Sequence, residues 1–127
     1  MLYTTESKRA IDEVGQRLEE AAKKRKFGVL TVHNLKETMK KKGVEFQKEV
    51  RIYEVCNPQQ AKKVLEAEPM ISTALPCRIS VYEDKGKVKI STIKPTVQLA
   101  AFGRKDLEPV AKEVEDTMIE IMNEAAG

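Results

Sequence analysis

The chain has no tryptophan, only three tyrosines and three phenylalanines, one histidine and two cysteines among its 127 residues. Each scarcity removes a class of function. A surface that reads single-stranded RNA or DNA stacks bases on several exposed aromatics set among cations, and there are few aromatics here to spare from a core. A single histidine, His33, gives a hydrolytic triad only one candidate base, and no serine sits in a nucleophile-elbow context. Two cysteines cannot make the disulfide framework of a small secreted domain, so Cys56 and Cys77 are expected as thiols in the cytoplasm. No apolar run approaches the ~20 residues of a membrane helix. The N-terminus, Met1-Leu2-Tyr3-Thr4-Thr5-Glu6, has neither the basic start nor the apolar block of a signal peptide. No P-loop pattern or glycine-rich turn follows the first predicted strand, which argues against a dinucleotide fold.

What is present suits one soluble domain over residues 1–127. Hydrophobic residues make up 41% of the chain, enough for one core, and charged residues 34%, above the usual quarter. The net charge of +3 is mild beside the concentrated field of a nucleic-acid binder.

Periodicity orders the elements. Leu2 to Thr5 reads as a strand, with Ser7 as the expected cap of a helix whose apolar stripe is Ile11, Val14, Leu18 and Ala21/Ala22. Glu13 with Arg17, and Glu20 with Lys24, stand at the i,i+4 spacing of surface ion pairs. Phe27 to Val32 is a second strand. Asn34 with Glu37 forms a capping pattern for a short helix that ends at Gly43. Val50 to Cys56 is a third strand, and Asn57-Pro58 starts another short helix, with Ala61, Val64 and Leu65 as its inner stripe. Cys77 to Glu83 and Lys87 to Lys94 flank Asp84-Lys85-Gly86 as a hairpin. Leu107, Val110, Ala111, Val114, Met118 and Ile121/Met122 mark a long final helix, with Asp106 as its expected cap. The expectation is an α+β fold: a mostly antiparallel sheet of about five strands, two main helices on one face, and short extra helices.

Lys42-Gly43-Val44, Val55-Cys56-Asn57-Pro58, Leu75-Pro76-Cys77 and the hairpin Val81-Tyr82-Glu83-Asp84-Lys85-Gly86-Lys87-Val88, in this order, resemble the family called domain of unknown function 302. The resemblance implies a β-α-β-β-β-β-α fold and self-association, and it implies no activity. It also implies that the thiols serve no purpose common to the family, since members can carry other residues at the positions of Cys56 and Cys77. Arg78 departs from the smaller polar residue expected after Cys77.

Two readings follow from the residues. The first is a non-enzymatic ligand-binding or assembly domain, a homodimer through the wide apolar face that Ile119 and Met122 give the last helix and through the apolar connection Met70 to Pro76. Its ligand is not named by the sequence. The second uses Cys56 and Cys77 as a thiol site for redox exchange, sulfur handling or soft-metal capture, with His33, Asn57, Pro76 and Arg78 as neighbours. In that reading Cys56, at a helix N-terminus, is the nucleophile with a lowered pKa, and Cys77 resolves. No cofactor is expected. A metal site is not expected either, because its ligands would have to converge from separate segments. The basic runs 23–26 and 40–42, with Lys87, Lys89 and Tyr82, are the only candidates for a nucleic-acid surface, which is not expected.

Overall fold

The computed structural model describes residues 1–127. Five strands, β1 (Leu2–Ser7), β2 (Gly28–Asn34), β3 (Val50–Cys56), β4 (Cys77–Asp84) and β5 (Lys87–Ile93), form one sheet in the order β1-β5-β4-β3-β2. Every neighbouring pair is antiparallel. Since β1 and β2 are the two edges, the helix between them, α1 (Ile11–Lys24), has to carry the chain across the whole sheet. Its 14 residues make a rod about 21 Å long, and four inter-strand steps span about 19 Å. The final helix, α5 (Glu108–Ala126), lies against α1 and β1. The sheet with its two main helices is the α+β arrangement expected from the residues. No helix is long and apolar enough to cross a membrane.

The main core lies between this helical layer and one face of the sheet. Ile79, Val81, Val88 and Ile90 alternate inward from the central strands and meet Val14, Leu18, Met118 and Ile121. Met122 is also fully buried there, whereas Ile119, the other residue that widens the α5 stripe, is only partly buried. The opposite sheet face is mixed and polar: Tyr82 hydrogen-bonds Ser91 Oγ at 2.8 Å, and Ser91 also meets Thr4 Oγ1 at 2.9 Å.

Several local expectations hold in atomic detail. Asn34 Oδ1 accepts from the Glu37 N–H and opens α2 (Leu35–Lys41); Asn57 Oδ1 accepts from the Gln60 N–H and opens α3 (Pro58–Ala67). The hairpin turn is tighter than expected, because Asp84 pairs with Lys87. Lys85 and Gly86, at φ 52° and 79°, then form the two-residue turn whose twist matches the strands.

Others are corrected. β1 runs on to Ser7, whose hydroxyl donates to the Ala126 carbonyl of α5 instead of capping α1; α1 has Ala10 at its N-cap and no side-chain cap. Asp106 does not cap α5 either; it holds the Arg104 guanidinium at 2.8 Å. The i,i+4 pairs expected on α1 give way to contacts with α5. Arg17 donates to the carbonyls of Glu124 and Ala125, Arg9 to that of Gly127, and Lys24 and Arg25 pair with Glu124. The last carbonyls of a helix have no partners of their own and sit at its negative end. The cations of α1 satisfy both needs.

A second, smaller apolar cluster lies beyond the ends of β3 and β4. Val64 of α3, Ile71 of the 3-10 turn Pro69–Ala74 and Leu107 form its centre, with Leu75, Leu99 and Val110 against them. Between it and β5 comes α4 (Pro95–Ala100).

Candidate functional site

The end of β3 and the start of β4, two of the places where the chain passes between the main core and this second cluster, carry the two cysteines. Val55 is in register with Cys77 and faces the core. Successive strand residues point to opposite faces, so Cys56 is out of phase with Cys77 although the strands are neighbours. Both thiols are free. Burial pushes the Cys77 thiol up to about 11, with the nearby Cys56 adding to the shift. Burial also raises Cys56. This is opposite to the lowered pKa expected for Cys56 at the start of α3: desolvation by burial disfavours its thiolate.

His33, named as a neighbour of the thiols, stands apart from them. It lies in β2 on the sheet face away from α1 and α5, with Nε2 at 2.8 Å from Glu54 Oε1. Its register partner is Ile52, while Gly28 pairs with Cys56. Four strand residues, about 13 Å, thus separate His33 from Cys56 along β3. Arg78 reaches the same carboxylate, Nε to Glu54 Oε2 at 3.8 Å. Glu54 is the residue that joins the two and escaped the sequence reading; its position two residues before Cys56, on the same strand face, was the available signal. Pro76 follows a cis peptide bond with Leu75. Nowhere do three or more His, Cys, Asp or Glu side chains gather as a metal would need.

The structure adds a cleft between the two apolar clusters. It is lined by 16 residues, 12 of them hydrophobic, and none is charged. Phe27, Val55 and Cys77 come from the main core; Val64, Leu99 and Val110 come from the second cluster. Cys56, Asn57 and Gln60 complete one wall. Two buried side-chain atoms in the chain lack a hydrogen-bond partner, Arg51 Nε and Gln60 Oε1, and Gln60 is the one that lines the cleft. The cavity holds about 50 Å³, well below the ~150 Å³ that accommodates benzene. The sequence could not announce this cleft, because its walls come from β3, α3, β4, α4 and α5 together.

Of the two basic runs, only Lys24 and Arg25 are paired, and Lys40 to Lys42 are exposed and make no ion pair. Lys24 and Arg25 bind Glu124, Lys87 binds Glu6, and Lys89 binds Asp84.

The chain matches the family described as "Domain of unknown function DUF302" over residues 3–125. It is also similar to a solved structure described as an uncharacterized conserved protein DUF302 from Bacillus stearothermophilus. The two share 32% sequence identity and a TM-score of 0.93, over 98% of this chain and 97% of that one. No curated protein matches.

Proposed function

Since this chain belongs to the DUF302 family, whose description assigns no activity, we propose a function from its own cavity: a binding domain without catalysis that holds the apolar end of a small ligand between its two apolar clusters. The single observation that carries this reading is the cleft itself, open, apolar and free of charged side chains. Its only titratable groups are two thiols whose pKa values burial raises, which leaves it without a ready nucleophile, acid or base at neutral pH. A volume of about 50 Å³ takes an end group of a few carbons, against the ~300–1,000 Å³ of a site for a whole drug-sized ligand.

Burying three or four methylene-sized groups is worth ~3 kcal/mol, so short probes will bind in the millimolar range. Titrating 2-methylpropan-1-ol into the labelled protein should shift the amide resonances of Cys56 to Ala61 and of Val110 to Val114. Val110→Phe, which fills the cleft, should abolish those shifts while leaving the circular dichroism spectrum intact. Shifts confined to other surfaces, or a folded Val110→Phe that binds as well, would refute the reading.

The alternative, thiol chemistry at Cys56 and Cys77, is favoured by the placement of both at the same end of neighbouring strands. Their pKa values oppose it. Cys77, at about 11 against an ordinary 9.0, carries ~100-fold less thiolate at pH 7. Iodoacetamide should therefore label Cys77 at least 100-fold more slowly in the folded protein than in urea. The same shift makes stability fall as the pH rises from 9 towards 11, because there the unfolded chain has lost a proton that the folded one keeps. Cys77→Ala should flatten that slope. Rapid labelling of folded Cys77 at pH 7 would restore the thiol reading.

The dimer expected from the sequence is retained only as a proposal. It now rests on exposed Leu2, Leu30 and Met70 and on partly buried Ile119, because Met122 and Ile71 are consumed inside the chain. Sedimentation equilibrium decides it: a single-chain mass across the concentration range removes it.

A further inference from the structure

Resting on that reading of the cleft, we infer the chemical class of its ligand: a neutral molecule with a short aliphatic end, whose head brings an N–H or O–H donor to Gln60 Oε1. Two independent features of the cleft select this class.

The first is the absence of charge among the lining side chains. Sixteen residues surround the cavity, and not one is Asp, Glu, Lys, Arg or His. An ionised head drawn against these walls would give up its hydration with no opposite charge to replace it. Amides and alcohols surrender far less.

The second is the unpartnered acceptor. Gln60 sits in the first turns of α3, where its backbone N–H is tied to Asn57 Oδ1 at 3.2 Å. Gln60 lines the cleft, and its side-chain oxygen is withdrawn from solvent without any donor. The other polar groups of the lining leave it unmet: Asn57 Oδ1 is an acceptor committed to the cap, the Gln98 amide makes no hydrogen bond to it, and the two thiols are weak donors. A buried acceptor left unmade is a standing cost that an incoming donor removes. The ligand's aliphatic end occupies the space between Val64, Leu99 and Val110, and its head lies at the wall that Gln60 helps to form.

Four probes with the same isopropyl end test this. Isobutyramide brings a donor, 3-methylbutan-2-one only an acceptor, isobutyrate a negative charge at pH 7 and isobutylamine a positive one. Affinities are read from the amide shifts of residues 55–61 and 110–114. Isobutyramide should bind about tenfold more tightly than the ketone, equivalent to about 1.4 kcal/mol, and both ions should bind more weakly than either. Gln60→Leu should erase the gap between amide and ketone, the comparison being made between the two probes on the same variant. Equal binding of amide and ketone to the native protein, or an amide preference that survives Gln60→Leu, overturns the donor assignment. Tight binding of isobutyrate or isobutylamine overturns neutrality. In either case the cleft remains a binding site. Failure of all four, with 2-methylpropan-1-ol, to move any cleft resonance defeats the site itself and this inference with it.

Discussion

Glu115→Ala should lower the free energy of unfolding by about 3 kcal/mol, although the residue belongs to a helix in which alanine is the better helix former. Glu115 is only 5% exposed, a rare position for a carboxylate. Its Oε1 accepts from both the N–H and the hydroxyl of Thr96, at 3.2 and 2.6 Å, and Oε2 lies 3.7 Å from Lys112 Nζ. Lys94 offers no capping side chain to α4, and Pro95 has no N–H. A carboxylate on α5 thus does for α4 what α4's own sequence does not. Hydrogen bonds to a charged group contribute about 1.5–3 kcal/mol each, and truncation would also leave the two donors of Thr96 unpaired. At the entropy typical of a chain of this size, the loss corresponds to a fall in Tm of about 11 °C. Glu115→Gln keeps an acceptor without the charge and should lose about half as much. Calorimetry on both variants checks the argument; an alanine variant within 1 kcal/mol of the native protein would show that the contact contributes little.

Gly15→Ala should also destabilise, by about 2 kcal/mol, where helix propensity alone predicts a gain of about 1 kcal/mol. Gly15 is buried in the middle of α1. A methyl group there would land on the Tyr53 hydroxyl, which reaches the helix from β3. The glycine is needed for close approach and not for backbone freedom. Tyr53 cannot easily withdraw, since it is buried among the core residues and its pKa is raised by that burial. Removing the oxygen should make the room that alanine needs: Gly15→Ala with Tyr53→Phe should recover most of the loss, a coupling of at least 1 kcal/mol in a double-mutant cycle. Additive losses from the two changes would place the strain elsewhere.

The limits of sequence reading are visible at single residues. Asn34 and Asn57 were legible as caps because a side chain and an amide three residues on meet by local geometry alone. Ser7, equally eligible, was drawn off by the Ala126 carbonyl, 119 residues away. The same competition redirected Arg17 from Glu13 to the end of α5. At the site, Cys56 and Cys77 could be named but their chemistry could not be judged. A helix N-terminus favours the thiolate and burial opposes it, and only the packed surroundings say which is larger. Glu54 was passed over because its link to His33 and Arg78 exists only across three strands. Gln60 was passed over because an unpaired oxygen is a property of its neighbours.

By itself, then, the order of residues determined what acts over a few positions: the period of the apolar stripes, the two asparagine caps, the tight turn at Lys85-Gly86, and so the number and kind of elements. Tertiary structure alone decided which donors met which acceptors over long separations, which thiols lost their water, and where two apolar clusters left a gap between them. Those outcomes depend on desolvation and on competition among groups brought together from the whole chain, and neither quantity is written in any local segment.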